Sequence, residues 1–121
     1  GGTITKPFDS TMRSLLVAIY ELGVNEVMII GHTGCGVQGM DAQEMLHLMK
    51  ERGVDAEHIQ LMRHCGIDLD SWMHGFDDTE TAVLETVDLV SNHPLMPKDV
   101  VVRGYIMDSV TGELTKINSI E

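Results

Sequence analysis

The chain has 121 residues and a formal net charge of −11, from 19 acidic and 8 basic side chains. That length suits one domain with a single core, and a hydrophobic content of 43% sets it apart from disordered chains. The acidic balance sets nucleic acid aside as a partner, because phosphate binding needs a basic surface. No apolar run approaches the roughly 20 residues that cross a bilayer, so no membrane partner is expected. Two cysteines, Cys35 and Cys65, are too few for a disulfide framework, and Gly-Gly-Thr does not read as a secretory leader; the expected compartment is the cytoplasm.

In chain order, Gly1 to Pro7 reads as loop. Asp9 or Ser10 can cap a helix whose apolar positions Met12, Leu15, Leu16, Ile19 and Leu22 keep helical spacing, and Gly23 ends it. Val27 to Ile30 is apolar on both faces, the pattern of a central parallel strand covered from each side. After a glycine-rich loop, Asp41 with Glu44 forms a capping-box-like start, Met45, Leu48 and Met49 mark the inward face, and Gly53 stops the helix. Asp55 starts a short helix with Ile59 and Met62 inward, ending near Gly66. Asp68 starts another with Leu69, Trp72, Met73 and Phe76.

Thr79 to Asn92 reads as a longer helix burying Val83, Leu84, Val87 and Val90, followed by Pro94 and Pro97. Val100 to Met107 is a strand, Asp108 to Gly112 a turn, and Glu113 to Ile117 an edge strand. The fold class is therefore α/β: layered, with a mainly parallel central sheet, a C-terminal hairpin strand and helices on both faces. One element sits oddly in that plan. The domain opens with a loop and a helix, which leaves the strand at Val27 to Ile30 as an apolar edge that proteins normally avoid. Either another chain covers that edge, or part of the domain lies outside this sequence.

Gly31-His32-Thr33-Gly34-Cys35-Gly36 carries the chemistry. Sites in open α/β sheets gather at the carboxyl ends of strands, and this loop follows directly on the apolar run. His32 and Cys35 can offer an imidazole nitrogen and a thiolate to one zinc ion, which needs four ligands in all. Read without context, the same two residues are also a buried histidine and a buried thiol. Cys65, beside His64, reads as structural filler. His47, His58, His74 and His93 fall on helices or helix ends, where surface or capping roles are expected. Asp68, Asp70, Asp77 and Asp78 read as helix caps and first-turn charges. Nucleotide-binding glycine patterns and the Gly-x-Ser-x-Gly elbow are absent from the sequence.

Together, Met12-Arg13-Ser14-Leu15, Glu21-Leu22-Gly23, Gly31-His32-x-x-Cys35-Gly36, His93-Pro94 and the Gly104 to Leu114 region resemble the β-class carbonic anhydrases, and most closely their small bacterial branch. The resemblance implies that residues 1–121 form a single domain, corresponding to the C-terminal two-thirds of a complete one. It implies Zn2+ as cofactor, with His32 and Cys35 as two of its three protein ligands. The third, a cysteine of a Cys-x-Asp-x-Arg motif, does not occur in these 121 residues, and neither does that motif's Asp-Arg pair, so no catalytic residue is assigned. Gly36, through its backbone amide, and Gly2, in a loop bordering the same pocket, are implied at the substrate.

The implied reaction is reversible hydration of carbon dioxide to bicarbonate, with the chain alone weak or inactive. Carbonyl sulfide and carbon disulfide are substrates of some relatives. A homodimer or higher homo-oligomer is implied as well. The alternative function is a non-catalytic oligomerisation or partner-binding domain with an incomplete metal site.

Overall fold

The computed structural model describes residues 6–117. The element order is α1 (Ser10–Leu22), β1 (Glu26–His32), α2 (Ala42–Glu51), α3 (Ala56–His64), α4 (Leu69–Met73), α5 (Thr79–Ser91), β2 (Val101–Met107) and β3 (Leu114–Ile117). Each helix starts at an aspartate whose carboxylate accepts from a backbone N–H in the first turn: Asp9, Asp41, Asp55, Asp68 and Asp78. The acidic character of the sequence is thus partly a capping pattern, which satisfies donors that have no partner inside the helix. The chain divides into two compact units, one from the residues up to Cys35 together with those from Asp78 on, the other Gly36–Asp77.

In the first unit the sheet order is β1-β2-β3, with β1 parallel to β2 and β2 antiparallel to β3. Helix α5 lies on one face. Val83 and Val87 form a buried cluster with Ile117, and Ile29, Leu84, Val102 and Ile106 pack against it. Two glycines let the helix come this close. A Cβ on Gly31 would stand 2.7 Å from Val83 Cγ2 and 2.9 Å from Thr79 Cγ2; one on Gly104 would stand 2.9 Å from Val83 Cγ1 and 3.1 Å from Val87 Cγ2.

The opposite face of β1 is different. Met28 and Ile30 are 50% and 45% exposed, so β1 is an edge strand open on one face and not a strand covered from both sides.

Helix α1 ends at Gly23 (φ 74°), as its sequence predicts. Met12 and Ile19 are buried, whereas Leu22 is exposed because it falls in the last turn, past the packed stripe. Tyr20 Oη–H donates to Leu95 O at 2.6 Å. His93 departs from its sequence reading as a surface or capping residue: it is buried, 5% exposed. Its Nε2–H donates to Pro7 O at 2.7 Å, its Nδ1 accepts from Leu95 N–H at 3.1 Å, and Phe8 meets its ring edge-on at 5.2 Å. With both nitrogens bonded and an aromatic neighbour, the imidazole ties the entry of α1 to the segment after α5.

The second unit has its own small core of Leu46, Ile59 and Leu69, with Met49 against it. Leu48, Met62 and Trp72, expected inward, are exposed. On α2 the buried stripe is Ala42 and Leu46, one position away from the expected one. On these short helices only a narrow stripe finds a partner. Gly75 closes the unit: its N–H donates to Met40 O at 2.9 Å, and a Cβ there would fall 1.9 Å from Val37 O.

Candidate functional site

His32 is the last residue of β1 and lies opposite Met107, the last residue of β2. Both strands run parallel, so the loop leaving His32 sits at the carboxyl end of the parallel pair, where α/β sheets hold their ligands. Thr33 and Gly34 form a turn. Gly34 has φ 67° and no described non-glycine residue has a positive φ. Glycine adopts that conformation without steric cost, so Gly34 has a conformational reason in the turn that leads from His32 to Cys35.

The imidazole of His32 is exposed, and its Nδ1 lies 2.9 Å from Thr33 O. A carbonyl oxygen only accepts, so Nδ1 carries a proton in this contact, and in the neutral imidazole that leaves the lone pair on Nε2. Cys35 is a free, half-buried thiol. A neutral imidazole nitrogen and a thiol that can ionise are zinc donors by their chemistry, and they supply half of a tetrahedral set. Among the described residues no group of three His, Cys, Asp or Glu side chains is placed to hold a metal ion.

The loop is tied to the end of β2. Thr33 N–H donates to Met107 O at 3.0 Å, and Thr33 Oγ1 accepts from Ser109 N–H at 3.0 Å and lies 3.0 Å from Ser109 Oγ. Ser109 opens the turn between β2 and β3, and that turn is itself pinned. The Asp108 carboxylate accepts from Val110 N–H at 2.8 Å and Thr111 N–H at 3.1 Å, and these bonds hold its carboxyl below the usual carboxylate range. Thr33 and Ser109 were not singled out by the sequence reading. Its place among the two residues between the donors is the only hint a sequence offers for Thr33, and Ser109 is 76 positions away.

Two further site residues were expected, Gly2 and Gly36. Gly2 is outside the described residues. Gly36 belongs to the second unit; its φ is not positive and a Cβ there would meet nothing within 4 Å, so the chain's own packing does not demand glycine. Cys65 is exposed, at the C-terminal cap of α3, and not the buried filler expected. A groove of about 630 Å³ runs along α1, lined by Phe8, Met12, Leu16, Tyr20 and Leu95 among others; neither His32 nor Cys35 touches it. No helix among the described residues is long and apolar enough to cross a membrane.

The sequence profile of the carbonic anhydrase family matches residues 1–114. A Bacillus subtilis protein named "Putative carbonic anhydrase YtiB" is 43% identical over 117 residues, covering 97% of this chain and 63% of its own length. A protein of Acidithiobacillus thiooxidans named "Carbon disulfide hydrolase" is 31% identical over 114 residues, covering 89% of this chain and 51% of its own. The crystal structure of β-carbonic anhydrase isoform I from Trichomonas vaginalis superposes with a TM-score of 0.82 at 32% identity, over 93% of this chain and 60% of that one. The chain thus spans about three-fifths of the length of the proteins it matches. With this sequence match along nearly its whole length, and with the β-class architecture around the His32–Cys35 turn, the chain belongs to the carbonic anhydrase family, in its β class.

Proposed function

We propose that the chain is the C-terminal part of a zinc-dependent enzyme that hydrates carbon dioxide reversibly to bicarbonate. The observation that carries this reading is the His32–Cys35 turn at the carboxyl end of β1, with Nδ1 of His32 occupied and Nε2 left free. His32 would hold zinc through Nε2 as a neutral donor. Cys35 would hold it as a thiolate, whose charge offsets part of the ion's. The remaining protein ligand would come from sequence outside these 121 residues. Zinc, when bound, supplies a Lewis acid that makes water acidic enough to react near neutral pH. The resemblance implies Gly36 at the substrate, through a backbone N–H that a glycine leaves uncovered by any side chain.

The test uses the protein encoded by the complete reading frame beside the 121-residue chain. Metal analysis is expected to give about one zinc per complete protein and much less for the chain alone. Stopped-flow hydration of carbon dioxide is expected for the complete protein, to fall at least a hundredfold in His32→Ala and Cys35→Ser, and to be weak in the chain alone. A complete protein without zinc, or activity indifferent to His32, would refute the proposal. The similarity to proteins named carbon disulfide hydrolase makes carbon disulfide the second substrate to assay, with sulfide release as the readout.

A further inference from the structure

We infer that Thr33 is a positioning residue for His32, and that Ser109 holds it in place from the turn between β2 and β3. This inference rests on the metal-site reading of His32 and adds two residues that never touch the metal.

Every polar group of Thr33 is engaged, although the residue is exposed. Its N–H donates to Met107 O, its Oγ1 accepts from Ser109 N–H, and its carbonyl accepts the His32 Nδ1 proton at 2.9 Å. The hydroxyls of Thr33 and Ser109 add a further bond at 3.0 Å, for which either can be the donor. An exposed threonine ordinarily leaves its hydroxyl to water. Here the hydroxyl is bound twice to one residue, and that residue sits in a turn with little freedom. Gly112 N–H donates to Asp108 O at 2.8 Å, Asp108 N–H donates to Glu113 O at 2.9 Å, and the Asp108 carboxylate caps Val110 and Thr111.

The consequence follows from geometry. The Met107 bond holds the peptide that precedes Thr33 and the hydroxyl bonds hold its side chain, so the residue that offers its carbonyl to His32 is anchored on two sides. The His32 ring must meet that carbonyl with Nδ1–H, and Nε2 then points the opposite way across the ring. Partners that fix the tautomer and direction of a ligating imidazole generally change metal affinity by 10- to 100-fold when removed. The anchor acts through a main-chain carbonyl, so the side chain of Thr33 has its effect one step removed from the ligand.

Two-bond 1H–15N correlation of the metal-free chain reads the tautomer of His32 directly. Cobalt(II) binding to the protein encoded by the complete reading frame, with its thiolate charge-transfer band, reads affinity. The parent chain is expected to show His32 protonated on Nδ1. Thr33→Val, which keeps the shape and removes the hydroxyl, and Ser109→Ala are expected to give a mixture of tautomers and to weaken cobalt binding roughly 10- to 100-fold. Thr33→Ser is expected to restore both, which a purely steric role would not do. A parent His32 protonated on Nε2, or variants matching the parent in tautomer and within twofold in affinity, would overturn the inference. If the protein encoded by the complete reading frame binds no cobalt, the metal reading falls, and the imidazole spectra still decide: conversion in the variants supports the positioning role and persistence overturns it.

Discussion

Gly31 has two neighbours that leave no room for a side chain. It belongs to the loop motif that marks the site, yet its glycine answers to the packing of α5 on the sheet: Val83 Cγ2 would be 2.7 Å from an added Cβ. Gly34 is different, since its positive φ shapes the turn that joins His32 to Cys35. Two glycines three apart thus have two separate physical causes, one of packing and one of conformation. Gly31→Ala is expected to cost about 1–3 kcal/mol by overpacking, read as a lower urea midpoint with an unchanged m-value. A midpoint equal to the parent's would show that α5 can shift at no cost. The motif was legible in the sequence as a site, whereas the close approach behind Gly31 was not, because Thr79 and Val83 lie about fifty residues further along.

At the scale of elements, caps and turns were the most readable features. Aspartates announce the helix starts, and Gly23, Gly53 and Gly66, all with positive φ, lie at or just after helix ends. These signals are local, so no distant partner is needed to read them. Two of the local carboxylates also titrate with folding. Hydrogen bonds from the Thr81 hydroxyl and backbone hold Asp78 below the usual carboxylate range, and backbone bonds from Val110 and Thr111 do the same for Asp108. A folded pKa below the unfolded value of about 3.9 means a contribution that is full above that value and is lost as pH falls through the folded pKa. Asp78→Asn and Asp108→Asn are therefore expected to flatten the loss of thermal stability between about pH 5 and pH 2. Melting curves across that range check this; an acid profile superposable on the parent's would rule out the capping carboxylates as its source. Inward faces were less readable than caps. Leu48, Met62 and Trp72 are exposed because a short helix has several apolar stripes and its neighbours choose one.

Over the whole molecule, the sheet carries the main consequence. Among the described residues β2 is paired on both sides and β1 on one, and Met28 and Ile30 stand exposed on the face away from α5. An apolar edge of this kind is a template for association unless charge or another segment blocks it. Self-association is therefore expected, as the family resemblance also implies. Sedimentation velocity should show a dimer or larger species, and Ile30→Lys should shift it toward monomer, since an edge lysine disfavours strand pairing. A parent chain that sediments as a monomer at all concentrations would refute this.

By itself, the sequence determined the family, the order of elements, the helix caps and the loop that holds His32 and Cys35, because each rests on local chemistry or on a contiguous motif. Tertiary structure alone decided that Gly31 and Gly104 seat α5, that His93 is buried and bonded to Pro7, and that Ser109 anchors Thr33. Those are contacts between residues far apart in the chain. Which side chain meets which is set by the approach of packed backbones, and no local pattern of residues records that approach.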